Sequence, residues 1–407
     1  MKIKKLLCML MTGTMLLTMT GCGGNVDNFN EYVTEVEELQ VPEETEIVAL
    51  GEASHGNAEF QELKLDVLKV LVEQKKVQSF SLEGDFGGCQ RVNEYIHGAD
   101  MTAEEAVADI GFQLYRTEQM VALAKWMREY NETAGEAEQL SFYGFDMQRY
   151  EHGASIATDY CNQKGIDPSP VTEIFGEAET DYSYDEKVEL LEQLEKEVLE
   201  SGEDEETKIA ARCIACLIQN VQMGHLDETN PGGYNQLRDS LMAENVNWIV
   251  SHEKEKGNDC VMISGHNGHV AKKGNSYTNT GSILAEQYGE TYFVIGTDFY
   301  ETECNLPVND GRENHKFVSN DPLAKKAGEA GLNKAYLDFE KAMENDELAS
   351  VLKKPMSMGS LGEFYGWYMN FLPKTYRIKM KPVQLYDAMI FVPNATPTEI
   401  YELDDAE

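Results

Sequence analysis

Glu46-Ile47-Val48-Ala49-Leu50 runs into Gly51-Glu52-Ala53-Ser54-His55-Gly56, after which Phe60, Leu63, Val67, Leu68 and Leu71 recur at the spacing of one helix face. A short apolar run, a polar turn rich in glycine and an amphipathic helix make one β-loop-α unit. The pattern repeats in outline: Ser79 to Leu82, Leu140 to Tyr143, Cys260 to Ser264 and Tyr292 to Gly296 read as further strands. Helical patterns fill the intervals around 90–98, 118–131 and 235–251. Strands separated by helices predict an α/β fold, with a mainly parallel central sheet and helices on both faces. Leu385 and Ala388 to Val392 form a last apolar run, expected as an edge strand. Glu173 to Lys208 is rich in glutamate, with Leu190, Leu191, Leu194 and Val198 on one helical stripe, and Ile209 to Leu217 supplies a second helix. Residues from about 173 to 226 are therefore expected to form an inserted helical hairpin with a solvated charged face.

The 407 residues carry 34 basic and 72 acidic side chains, a formal charge of −38. Such a surface repels a phosphate backbone, so no nucleic-acid partner is expected. With 42% apolar residues the chain can bury a large core without staples. Lys2, Lys4 and Lys5 precede the apolar run Leu6 to Leu17, which is short for a bilayer span, and Met19-Thr20-Gly21-Cys22 follows. This has the form of a lipoprotein signal: residues 1–21 removed, lipid on Cys22, a linker over 22–35 and one domain over 36–400. The mature chain would then be extracytoplasmic and held at the bacterial cell membrane through Cys22, and loss of three lysines would carry the charge to −41. A plain secretory signal or short anchor is the alternative. Cys213-x-x-Cys216 shares a helical stripe with Ile209 and Leu217, with no second such pair, and reads as core cysteine rather than a zinc or redox site.

Three polar clusters each follow a β-like run: Glu52 and His55 after Leu50, Glu83-Gly84-Asp85 after Leu82, and Gly265-His266-Asn267-Gly268-His269 after Ser264. In parallel α/β sheets, ligands bind outside the carboxyl ends of the strands, so these loops are expected to converge. Glu52, His55, Glu83, His266 and His269 recur at equivalent strand ends, whereas His97, His152, His225 and His252 have no such placement and read as packed or surface residues. A neutral imidazole beside a carboxylate can take a proton from water. Gly-x-Ser-x-Gly is absent, which disfavours a serine nucleophile, and Ser54 reads as structural. Glu-x-x-His, His-x-x-His and Glu83 could alternatively ligate a divalent ion, although His-Glu-x-x-His is absent.

These residues resemble the erythromycin esterase family, which includes succinoglycan-biosynthesis-like proteins. The likeness rests on Gly51-Glu52-Ala53-Ser54-His55-Gly56, Ser81-Leu82-Glu83-Gly84, Trp126-Met127-Arg128-Glu129-Tyr130-Asn131, Tyr143-Gly144-Phe145-Asp146, Arg238-Asp239 with Met242 and Asn245, Gly265-His266-Asn267-Gly268-His269 and Tyr386-Asp387-Ala388-Met389-Ile390. It is collinear from about 45 to 393. It implies cofactor-free hydrolysis of a small-molecule ester or lactone, not restricted to macrolides, by water activated at His55 without a covalent intermediate. Glu52 and Glu83 would partner His55, and His266 and His269 would stabilise the oxyanion or protonate the leaving alkoxide. His269, Lys64 and Asn267 would contact the substrate. Lys64 stands where the family tends to carry arginine, keeping the charge without the planar fork. The acidic hairpin would cover the cleft. A metal-dependent hydrolase using the same cluster and a non-catalytic surface binding lipoprotein stay open as alternatives.

Overall fold

The computed structural model describes residues 28–403, apart from 75 and 179. The expected signal and Cys22 lie outside these residues. Thirteen strands are present among them: β1 (Val33–Thr34), β2 (Ile47–Glu52), β3 (Ser79–Asp85), β4 (Ser141–Asp146), β5 (Val261–His266), β6 (Tyr292–Asp298), β7 (Glu301–Pro307), β8 (Arg312–Val318), β9 (Ala335–Asp338), β10 (Met356–Gly359), β11 (Arg377–Met380), β12 (Ala388–Phe391) and β13 (Asn394–Ala395). Eight of them form one sheet in the order β1-β9-β12-β6-β2-β5-β3-β4. From β12 to β4 every neighbouring pair is parallel; β9 alone runs against the rest, and β1, antiparallel to β9, returns to the common direction.

The central strands are buried on both faces, and their side chains divide with the two-residue period of the pleat. Val48 and Leu50, Phe80 and Leu82, Met262, Phe293 and Ile295, and Ala388 and Ile390 enter one core. Ile47 and Ala49, Tyr143 and Phe145, Val261 and Ile263, Tyr292 and Val294, and Met389 and Phe391 enter the other. The helices are α1 (Ala58–Glu73), α2 (Phe86–Ile96), α3 (Ala103–Ala108), α4 (Glu118–Thr133), α5 (Glu151–Lys164), α6 (Ser169–Ile174), α7 (Tyr184–Glu200), α8 (Glu205–Thr229), α9 (Tyr234–Glu255), α10 (Asn267–Val270) and α11 (Thr280–Tyr288), followed by shorter ones. The first core takes α1 to α4, including Phe60, Leu63, Val67, Leu68 and Leu71 of α1. The second takes α9 and α11, so both faces are covered.

The inserted hairpin is α7 and α8, lying between β4 and β5 in the chain. Leu191, Leu194 and Val198 of α7 meet Ala210, Ile214 and Leu217 of α8 and Ala157 and Tyr160 of α5 in a core of their own. Cys213 and Cys216 are buried and unpaired on the inner side of α8, as a core reading requires.

Three expectations are corrected. The final apolar run is not an edge: β12 sits between β6 and β9, because a β-strand at 335–338 follows the helices and closes over it antiparallel. The linker over 22–35 is not all linker, since Phe29 is buried and Val33 and Thr34 pair with Leu337 and Tyr336. Finally, the strands that carry polar clusters run two or three residues further than their apolar cores suggest, so Glu52 and His266 are terminal strand residues, register partners of each other, and Glu83 lies inside β3.

Candidate active site

β5 lies between β2 and β3, which brings the carboxyl ends carrying Glu52, His266 and Glu83 side by side. Two glycines permit this approach. A Cβ on Gly51 would stand 2.1 Å from Asn267 Oδ1, and one on Gly265 would stand 2.8 Å from Glu83 Oε2. Neither position admits a side chain without moving the cluster.

On the β2 side, Glu52 is buried and its Oε2 accepts from Lys64 Nζ at 2.7 Å and from Gln61 Nε2 at 3.3 Å. Gln61 also donates to the His55 carbonyl at 3.1 Å and accepts from Lys64 at 2.9 Å, so α1 fixes the turn that carries His55. Glu52 Oε1 lies 3.5 Å from His55 Nδ1, and neither atom has another partner. Burial alone would raise the Glu52 carboxyl, but Lys64 and His55 outweigh it and hold the group below the usual carboxylate range. Burial likewise opposes a charge on His55, yet Glu52, Glu83 and Glu363 overcome it and raise the imidazole above its ordinary value.

His266 faces His55 with ring centroids 5.2 Å apart. Its Nδ1 accepts from the Gly268 backbone N–H at 3.1 Å, which assigns the ring proton to Nε2, a buried atom with no partner. Burial, reinforced by His55 and His269, pushes this imidazole down to about 3. Two neighbouring histidines are thus pulled in opposite directions, one toward accepting a proton and one toward staying neutral.

On the β3 side, Glu83 Oε2 accepts from the His266 backbone N–H at 2.7 Å, and Oε1 accepts from Arg238 Nη2 at 2.9 Å with His269 Nε2 at 3.4 Å. Burial opposes the charge, but His269, Arg238 and His55 hold Glu83 far below the ordinary range. Arg238 also reaches Asp146 through Nη2 at 2.6 Å and meets His269 Nε2 through Nη1 at 3.1 Å. His269 Nδ1 lies 2.9 Å from Asp239 Oδ1, which further accepts from Thr280, and Asp239 Oδ2 accepts from Tyr277.

The five residues expected at strand ends therefore meet. Arg238, Asp239 and Asp146 join them without having been singled out as site residues, although all three lie within the stretches that carried the family likeness. Lys64 is not placed to touch substrate: it is fully buried, with its ammonium directed to Glu52 and Gln61. Asn267 lines the cavity beside His266, with its amide tying β5 to β6 by donating to the Thr297 carbonyl at 2.8 Å and accepting from the Thr297 N–H at 3.3 Å. Asp85 caps α2 through Gly88, and Ser54 bonds Cys304 Sγ and the Gly56 N–H. A cavity of about 210 Å³ opens beside His266 and His269, lined also by Tyr277, Ser360, Met380 and Tyr386. No residue of the α7–α8 hairpin lines this cavity.

Among the described residues no three His, Cys, Asp or Glu side chains converge as a metal-binding set. Lys64 and Arg238 stand against the two carboxylates that would be the anionic ligands.

A family model described as erythromycin esterase matches residues 72–395. The chain belongs to the erythromycin esterase family. The match begins beyond Glu52, His55 and Lys64, which the geometry joins to the matched part. "Erythromycin esterase type II" of Escherichia coli is 32% identical over 106 residues, 26% of this chain and 24% of that protein. YbfO of Bacillus subtilis, named as a hydrolase, is 23% identical over 311 residues, 65% of this chain and 67% of that one. The aligned part thus spans about a quarter of the first relative and two thirds of the second. Among solved structures, a Bacillus cereus protein superposes with a TM-score of 0.76 at 19% identity, covering 92% of this chain and 100% of that one. An erythromycin esterase mutant in its open conformation gives 0.61 at 15% identity, covering 88% and 93%, and these likenesses bear on the fold.

Proposed function

We propose that this erythromycin esterase family hydrolase cleaves a carboxylic ester or lactone with water activated by His55, without a metal ion or covalent intermediate. The observation that carries the reading is the His55–His266 pair, 5.2 Å apart with opposite proton preferences. With Nδ1 turned toward Glu52, His55 has Nε2 left for a water proton. Water attacks the carbonyl carbon as His55 takes its proton, and the carbonyl π electrons move to oxygen. The neutral His266, whose Nε2–H is otherwise unpartnered, donates to that oxyanion. Collapse of the tetrahedral intermediate breaks the carbon–oxygen bond, and the leaving alkoxide receives the proton from His55. The products are an acid and an alcohol, or one hydroxy acid from a lactone.

Turnover of a panel of aryl esters and macrocyclic lactones by the full chain tests this. His55→Ala should lose about 10³-fold in rate with an unchanged melting temperature. An unchanged rate would remove His55 as the base, and complete loss on chelation would overturn the metal-free step. We further propose that Cys22 carries a lipid that holds the protein on the outer face of the bacterial cell membrane, with the export signal and Gly21-Cys22 in support. Radiolabelled lipid incorporation should vanish in Cys22→Ala, and its persistence would exclude that cysteine.

A further inference from the structure

Half of the eight most exposed large apolar residues fall within nine positions of one loop: Phe364 at 57%, Trp367 at 73%, Phe371 at 75% and Leu372 at 45%. The loop is the 17-residue connection between β10 and β11, which pair antiparallel as a two-stranded ribbon outside the main sheet. Its aromatics touch one another, with Trp367 and Phe371 ring centroids 6.4 Å apart and Tyr368 between Trp367 and Phe364. They form one ridge rather than scattered exposure, and such a ridge is uncommon on a monomer's surface.

Charge identifies what the ridge fits. In a chain of formal charge −38, residues 353–381 hold six basic side chains and a single acidic one, Glu363, which is paired with Arg312. Lys353, Lys354, Lys374, Lys379 and Lys381 are all exposed, and none forms an ion pair among the described residues. Tryptophan and phenylalanine projecting from a backbone flanked by unpaired lysines match the requirements of an anionic lipid–water interface. The rings enter the acyl boundary while the ammonium groups stay among headgroup phosphates. The loop is also continuous with the catalytic end of the sheet: the Leu361 N–H donates to the Ala53 carbonyl at 2.8 Å, and Ser360 lines the cavity beside His266.

We propose that the β10–β11 loop docks on an anionic lipid surface, with Trp367, Phe371 and Leu372 inserted and the flanking lysines at the headgroups, which sets the mouth of the site against the membrane. This does not depend on the hydrolytic chemistry or on Cys22. The full chain has three tryptophans, and Trp126 and Trp248 are partly buried against Lys69 and Phe86 respectively, so Trp367 reports the ridge. With phosphatidylglycerol vesicles whose acyl chains carry bromine, the expected result is a blue shift and loss of tryptophan emission. That loss should disappear in Trp367→Tyr, weaken with salt, and be absent with brominated phosphatidylcholine vesicles. Binding without quenching at Trp367 would mean that another part of the chain holds the lipid, and would overturn the proposal. So would equal quenching in wild type and Trp367→Tyr, or a Trp367 blue shift that follows protein concentration without vesicles, which would assign the ridge to a second copy.

Discussion

Glu52 and Glu83 stand on either side of the His266 strand, both buried and each facing a cation, yet they are built for different work. Glu83 is held at both oxygens: a backbone N–H binds one, and Arg238 binds the other with His269 beside it at 3.4 Å. Glu52 gives one oxygen to Lys64 and Gln61 and leaves the other facing only His55 at 3.5 Å. A carboxylate with both oxygens engaged by fixed donors is an anchor around which a site is assembled. One with an oxygen in reserve can answer a change of charge on its neighbour, as proton transfer to His55 requires.

Breaking the Glu83 side should give the largest effect. Arg238→Met leaves Glu83 and Asp146 as buried carboxylates without their shared cation, and loss of one member of a buried pair costs about 3–5 kcal/mol. The midpoint of urea unfolding should fall accordingly, and a variant as stable as wild type would show that Arg238 is dispensable to the frame. Glu52→Gln acts on chemistry instead. It should cut kcat/KM by on the order of 10²-fold and change its pH profile. In wild type the profile should rise through an apparent pKa above 6.5, because Glu52 raises His55 against burial. Without that anion the strongest opposition to burial is gone and only Glu83 and Glu363 remain, so the apparent pKa should move down. A rate loss with an unmoved pKa would separate Glu52 from the base.

How much of this could be read from residues alone follows from the same contrast. Glu52, His55, Glu83, His266 and His269 were legible because an apolar run ending in a polar residue marks a strand's carboxyl end. Asp146 meets that description too, but its strand was read as ending at Tyr143, since Gly144 interrupts the apolar run before Phe145. Arg238 and Asp239 sit in the first turns of a helix, where charged residues ordinarily face water, and nothing in a 3.6-residue period marks them as enclosed. The inward turn of Lys64 was equally hidden: only the nearby Glu52 makes burial of an ammonium tolerable. The sheet core was readable from its continuous apolar strands. The β7–β8 hairpin was not, because on β7 only Thr302, Cys304 and Leu306 point inward and half of each alternation is polar.

His266 sharpens the comparison through pH. Its folded value of about 3 lies below the ordinary 6.5, so between those limits the unfolded chain binds a proton that the folded chain refuses. Stability from this group is complete above pH 6.5 and is lost as pH falls toward 3, at a slope of about 1.4 kcal/mol per pH unit. His266→Gln should remove that slope, while the losses below pH 4.5 from Glu52 and Glu83, both depressed in the fold, should persist. Parallel stability curves for the two proteins between pH 4.5 and 6.5 would mean that His266 is protonated in the fold and is no neutral donor.

The smallest effect is expected where both partners of one pair are removed together. Glu52→Gln alone strands the fully buried Lys64 ammonium, so some stability is lost along with the rate. Adding Lys64→Met replaces that cation with an apolar side chain of similar length, and removing both members of a buried ion pair is often neutral to within about 1 kcal/mol. Gln61 can still hold the turn through the His55 carbonyl. The double variant should therefore unfold close to wild type and stay as slow as Glu52→Gln. Recovery of stability without rate would identify the Glu52 charge as serving His55, with Lys64 needed only to keep that charge buried. Recovery of both would show that the carboxylate shapes the pocket and does no more, and the distinction between Glu52 and Glu83 would then disappear.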